Sequence, residues 1–167
     1  MALDDDIRLL SSVELFREIP EDQLRLLAFG TEHRLVQGGH PLFAEGDEAD
    51  GGYVVADGQI DIVAIRQGRE IVLESCQAGS LIGEMSLFTP NRRVAAAMAR
   101  HNSEVLFVPR PLFRRMLEAY PDTAVALHDR IGRSVRRMIG QISQIKQRLD
   151  SIPDLPNAGA AKKKSQE

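Results

Sequence analysis

With 167 residues, 43% of them hydrophobic and 27% charged, the chain has the composition of one soluble globular domain with a proper core and room for a terminal extension. A formal charge of -3 argues against a general nucleic-acid binder, and no apolar run approaches the roughly 18 residues a membrane span needs. "MALDDDIRLL" carries acid where a signal peptide would carry base, so a cytoplasmic location is expected.

Residues 3 to 29 read as helical. Leu9, Leu10, Val13 and Phe16 recur at helical spacing, and Leu24, Leu27 and Ala28 do so again after "REIPEDQ". Pro20 followed by Glu21 and Asp22 marks a helix start, where proline loses no hydrogen bond and acids suit the positive end of the dipole. From about residue 32 to 108 the period shortens. "GYVVA", "QIDIVAI" and "EIVLES" are strand-like runs separated by turns at Gly46, Gly51, Gly52, Gly58, Gly68 and Gly79. Short, evenly spaced strands predict an antiparallel barrel or jelly roll. The lone Cys76 reads as a small residue in or near one of these strands.

From Pro111 the signal is helical again: "PLFRRMLEAY" stops before Pro121, and a long segment runs from about 122 to 150. The fold class expected is therefore α+β, a jelly roll with N-terminal helices and a long C-terminal helix pair. Ile131, Val135, Met138, Ile142, Ile145 and Leu149 are spaced alternately four and three apart, a heptad seam. Such a narrow stripe suits a second copy of the same helix in a parallel dimer, although an amphipathic helix lying on its own barrel gives the same spacing. Residues 1–150 are thus taken as the domain with its dimerisation helix. Residues 151–167, "SIPDLPNAGAAKKKSQE", are expected to be a disordered tail.

The chemistry concentrates in "GEMSLFTPNRRVAAAMA", residues 83 to 99. Gly83 at the start of one helical turn would expose unpaired N–H groups to an anion, with no side chain to hold it off. Glu84 beside that seat would repel a phosphate unless its carboxylate accepts from a neutral hydroxyl, which an attached sugar supplies. Arg93 offers the planar, charge-assisted donors that match phosphate oxygens. The alanines that follow let the ligand lie close to backbone amides. A sugar phosphate fits this combination.

The stretch resembles the phosphate-binding cassette of the cyclic nucleotide-binding domain family. Gly83, Glu84, Met85, Ser86 and Leu87 match its first half, and Arg93 with Ala95 its second. Arg93 rather than Arg92 fits, because it stands two before Ala95. "SVELFREIPEDQLRLLA", "LFAEGDEADGGYVVADGQIDI" and "PLFRRMLEAYPDTAVALHDRI" resemble the family's helical lead-in, first strands and trailing helices, so the likeness runs over residues 10 to 150.

The resemblance implies a small barrel holding cAMP or cGMP. Glu84 would bond the ribose 2′-hydroxyl, Arg93 the cyclic phosphate, and amides around Gly83 to Ser86 and at Ala95 the remaining oxygens. The C-terminal helix would close over the base. Two departures stand out: Val94 replaces the usual Ser or Thr, and Met138 and Ile139 stand where some bacterial members offer Thr and Ser to adenine, giving an apolar lid. The family's transcription activators continue into a helix-turn-helix of about 60 to 80 residues, which residues 151–167 do not supply.

The function expected is a stand-alone sensor that signals through an unidentified protein effector or within a homodimer, with no DNA or membrane partner. The alternative is a degenerate barrel kept as a structural dimerisation module that binds no nucleotide. Enzymatic activity, a cofactor and a metal are not expected: His33, His40, His101 and His128 are scattered without ligand spacing, whereas a cupin-like enzyme with the same strand signature needs clustered histidines.

Overall fold

The computed structural model describes residues 2–127 and, beyond them, Arg130, Gly132, Gly140, Gln144, Gln147 and Arg148. The chain opens with α1 (Leu3–Ser12), a 3₁₀ turn (Glu14–Glu18) and α2 (Glu21–Gly30). Asp4, Asp5 and Asp6 occupy the first turn of α1, where carboxylates complement the helix dipole. Pro20 caps α2, and Leu24, Leu27 and Ala28 turn to the core.

Ten strands follow: β1 (Glu32–Val36), β2 (Pro41–Phe43), β3 (Glu48–Ala49), β4 (Gly51–Asp57), β5 (Ile60–Arg66), β6 (Arg69–Cys76), β7 (Leu81–Ile82), β8 (Asn91–Arg92), β9 (Ala96–Ala99) and β10 (Ser103–Pro109). A second 3₁₀ turn, Glu84–Leu87, sits between β7 and β8, and α3 (Arg110–Ala119) closes the series. Residues 121–127 are helical.

The strands form two four-stranded sheets, ordered β1-β10-β4-β7 and β2-β9-β5-β6, and a two-stranded ribbon β3-β8. Every pairing is antiparallel. The jelly roll is thus a pair of facing sheets and not a continuously hydrogen-bonded barrel. The edge strands β7 and β2 are only two and three residues long, too short to carry a ladder around the corner.

Alternation along β4 and β10 explains why "YVV" and "VLFV" read as unbroken apolar runs. Tyr53, Val55, Val105 and Phe107 point between the sheets, where they meet Ile60, Ala97 and Ala99. Val54, Leu106 and Val108 point the other way, into a core shared with Leu10, Phe16, Leu27, Phe113 and Leu127. Strands covered on both faces lose the apolar-polar alternation of a half-exposed strand. The heptad seam residues Ile131, Val135, Met138, Ile142, Ile145 and Leu149, and the tail 151–167, lie outside the described residues. Among the described residues, no helix is long and apolar enough to cross a membrane.

One polar contact ties α1 to the sheets. His33 on β1 meets Glu104 on β10 through Nδ1 at 2.7 Å and Asp6 on α1 through Nε2 at 2.9 Å. Asp6 is buried, and its second oxygen has no partner. Only a protonated imidazole donates to both carboxylates at once. The hydrogen bond with Glu104, then that with Asp6, raises the His33 pKa above its ordinary 6.5.

A folded-state pKa raised in this way adds stability that is complete below the unfolded value and disappears as pH climbs through the folded one. Because His33 keeps 34% of its side chain exposed, screening limits the effect to about 1 kcal/mol, or about 3 °C in a domain of this size. The melting temperature is expected to fall by that amount as pH rises from about 6 to 8.5, and His33→Gln should flatten the slope. Thermal scans across pH test this; an unchanged slope in the variant would refute the assignment.

Candidate functional site

The site is built where β7 leaves its sheet. Tyr53 pairs with Ile82 and Val54 with Leu81, after which Gly83 turns the chain at φ +78°. This is the left-handed region that L side chains avoid. The 3₁₀ turn then closes with Ser86 N–H donating to Gly83 O at 3.0 Å. Leu87 packs into the helical core, and the neighbouring Phe88 ring stands edge-on to Phe113 at 5.4 Å. Apolar residues thus anchor the turn from behind while its N-terminal end faces a cavity.

The second half of the motif is fixed by its backbone. Arg93 N–H donates to Asp47 O and accepts from Gly46 N–H through its own carbonyl, each at 2.8 Å. These bonds aim the side chain inward. Arg93 is only 8% exposed; it donates from Nη2 to Gly51 O at 2.8 Å and from Nη1 to Ser86 Oγ at 3.3 Å. Its guanidinium lies 4.3 Å over the Phe43 ring and 5.5 Å from that of Tyr53. Ser86 Oγ in turn donates to Asn91 Oδ1 at 2.8 Å.

Glycine at 83 serves a second purpose, because a Cβ there would run into Arg93 Nη1. Gly51, which presents the carbonyl to Arg93, would drive a Cβ into Val108 O. Gly83 thus lets the backbone approach the guanidinium directly, and Gly51 lets β4 pack closely against β10.

Burial lowers the Arg93 pKa from its ordinary value, against the raising influence of Tyr53, Asp50 and Asp47. Among the described residues no carboxylate forms an ion pair with it. A guanidinium keeps its charge even so. The result is a buried cation held by dipoles and ring faces, with Asp47 and Asp50 acting on it without a direct ion pair. Arg110 braces the surroundings, donating from Nη1 to Ala49 O at 2.7 Å and to Ser86 O at 3.1 Å.

The motif residues line one open cavity of about 510 Å³. Gly83, Glu84, Met85, Ser86, Arg93, Val94 and Ala95 all border it, with Phe43 and Ile62 on the opposing sheet. Val94 is largely exposed at the mouth and Ala95 is buried. Arg92 also borders the cavity, but it pairs with Glu48 at 3.6 Å and is 70% exposed, which fits its reading as the neighbour of the functional arginine. Met138 and Ile139, expected as an apolar lid, lie outside the described residues.

Sequence reasoning missed Phe43, Tyr53, Gly51, Asn91 and Arg110. The first three precede Arg93 by 40 residues or more in the chain, and only the strand pairing brings them together. Cys76 lies in the cavity wall, where burial pushes its thiol up to about 12, so it is inert as a thiolate. Among the described residues no group of three or more His, Cys, Asp or Glu could hold a metal ion.

Comparison with known proteins agrees with this geometry. Residues 33–120 match the cyclic nucleotide-binding domain. A solved cyclic nucleotide-binding-like protein from Brucella abortus is 38% identical, with a TM-score of 0.63 over 69% of this chain and 99% of that one. A cyclic AMP receptor protein of Thermus thermophilus is 29% identical over 73% of this chain and 57% of its own. A lysophospholipase of Neurospora crassa is 27% identical over 83% of this chain, which spans only 9% of that protein's length. With the matched segment covering more than half of its residues, the chain belongs to the cyclic nucleotide-binding domain family.

Proposed function

We propose that the chain is a non-catalytic cyclic nucleotide sensor, binding cAMP or cGMP in the cavity beside Gly83 and Arg93 and needing no cofactor. The observation that carries this reading is the buried, unpaired cation. Holding a charge away from water without a counterion costs several kcal/mol, and a phosphate supplies the missing charge. A guanidinium has five N–H donors, and the Gly51 and Ser86 bonds leave others for ligand oxygens. Ser86 and Ala95 line the same cavity.

Glu84 accepts from the ribose 2′-hydroxyl in this reading, which fixes the sugar and keeps its carboxylate off the phosphate. Val94 contributes no hydroxyl, so the phosphate is held by Arg93 and amides alone. The likeness to a cyclic AMP receptor protein supports the ligand class.

Signalling follows if ligand binds one arrangement of the C-terminal helix better than another. A preference of about 1–3 kcal/mol is the usual size of such coupling. The heptad seam supports a homodimer through that helix, with a protein effector or the dimer itself as the output. A cytoplasmic protein without DNA or membrane partners completes the proposal.

Isothermal titration calorimetry with cAMP and with cGMP tests the binding reading. Saturable binding near one ligand per chain is expected, weakened at least about tenfold in Arg93→Ala, the loss of a charge-assisted hydrogen bond. Arg93→Lys should fall between, because it keeps the charge and loses the planar fork. Wild-type protein that binds neither nucleotide would favour the structural dimerisation module instead.

Gly83→Ala probes the seat itself. The left-handed backbone costs about 1–2 kcal/mol for alanine, and the added Cβ displaces the Arg93 guanidinium. Urea denaturation should show that loss of stability and calorimetry a weaker ligand; a variant matching wild type in both would argue against the close approach. For the dimer, Ile142→Asp should turn a dimeric species into monomer in analytical ultracentrifugation. A wild-type monomer at every concentration would reject the seam as an interface.

A further inference from the structure

A single row of directly paired residues crosses the inner face of the second sheet. Phe43 on β2 pairs with Ala97 on β9, Ala97 with Ile62 on β5, and Ile62 with Glu74 on β6. Directly opposed residues on antiparallel strands project to the same face. Ala97 is buried between the sheets with Phe43 and Ile62 packed against the same cluster, so this face is the interior one. Arg93 stacks on Phe43 at one end; Glu74 stands at the other. Three strand spacings, about 14 Å, separate the end residues.

Phe43, Ile62, Glu74 and Arg93 line the same cavity. A carboxylate at Glu74 breaks the apolar pattern of this face, since Cys76, two residues further along β6, is buried in the core. No described residue donates a hydrogen bond to the Glu74 carboxylate or pairs with it as an ion. Its charge nonetheless reaches inward, where it helps raise the Cys76 thiol after the larger effect of burial. Arg148 comes near, but to the Leu73 carbonyl at 3.3 Å. Of the other acids on the cavity wall, Glu84 belongs to the phosphate seat and Glu14 to the first 3₁₀ turn.

We propose that Glu74 reads the base of the bound nucleotide and makes the site prefer guanine to adenine. The proposal rests on the reading of the cavity as a cyclic nucleotide site, with the phosphate at the Arg93 end. The sugar and base then extend past Phe43 and Ile62 toward Glu74, all of which line the cavity, with Ile62 offering an apolar surface. An ionised carboxylate only accepts hydrogen bonds. Guanine presents N1–H and the N2 amino group side by side, two donors for two oxygens. Adenine presents its N6 amino group beside the N1 lone pair, so one carboxylate oxygen meets a donor and the other an acceptor. Val94 has no hydroxyl to take part in this choice.

The test uses wild-type protein and Glu74→Gln, titrated with cGMP, cAMP and inosine 3′,5′-cyclic monophosphate, which keeps N1–H and lacks the N2 amino group. Wild type should bind cGMP about tenfold or more tightly than the inosine nucleotide, and cAMP weaker still, the size of a lost bidentate contact. Glu74→Gln should close the cGMP–inosine gap and improve cAMP, because an amide offers one acceptor and one donor. The wild-type ranking stands without the variant, and thermal scans verify that the variant folds.

Equal or tighter binding of cAMP by wild type, or ratios unchanged by Glu74→Gln, would overturn the role of Glu74 while leaving a nucleotide site in place. Absence of any binding that Arg93→Ala abolishes would instead overturn the underlying reading, and this proposal with it.

Discussion

The contact between the Arg93 guanidinium and the backbone around Gly83 and Gly51 sets the terms for the rest of the structure. A cation removed from water must recover its hydration from fixed dipoles. Here the recovery comes from the Gly51 carbonyl, the Ser86 hydroxyl and the Phe43 ring face. A cation over a ring contributes about 0.5–2 kcal/mol, most when desolvated. None of these groups is an anion. With Asp47 and Asp50 acting on it without a direct ion pair, the cation lines one wall of a cavity, the place where the function proposed above puts a phosphate.

The same residues connect the site to the helical layer. The 3₁₀ turn that supplies Ser86 also supplies Leu87, which shares a core with Phe113, Met116 and Leu127. Arg110, the first residue of α3, bonds the Ser86 carbonyl directly. Interiors are packed at near-crystalline density, so a shift of the turn toward a ligand must either carry Phe113 with it or open a void. Phe113 sits on α3 and Leu127 in the helical segment after it. Packing thus joins the 3₁₀ turn to α3 and to the helical segment that holds Leu127.

How much of this the sequence discloses depends on distance along the chain. Gly83, Glu84, Ser86, Arg93 and Ala95 lie within one short stretch of sequence and border one cavity, so their grouping is legible locally. Strand positions are largely legible for the same reason, since turn glycines and period-two patterns are local, but Gly51 and Gly52, read as turn residues, open β4 and pair with β10. Phe43 beneath Arg93, Arg110 beneath Ser86, and Asp6 reaching His33 across 27 positions are products of pairing register and helix docking. No local pattern encodes them. Glu74 illustrates the limit: "EIVLES" marks a strand, and only the pairing with Ile62 shows that Glu74 shares that residue's face and borders the cavity. The closed barrel suggested by evenly spaced strands gives way to two facing sheets because the lengths of β2 and β7, not their spacing, decide closure.

The alanine run that follows the arginine has its explanation in the same register. Ala95, Ala97 and Ala99 are buried while Ala96 and Met98 are half-buried, so the small residues on the inner face occupy alternate positions of one strand. β9 lies between β2 and β5, at the centre of the sheet, where larger side chains would ordinarily fill the core and contribute more burial energy, about 0.8 kcal/mol per methylene. The chain forgoes that stabilisation on the row joining Phe43 to Glu74. The buried cation stacked on Phe43 and the carboxylate of Glu74 thus stand at opposite ends of one row of paired residues.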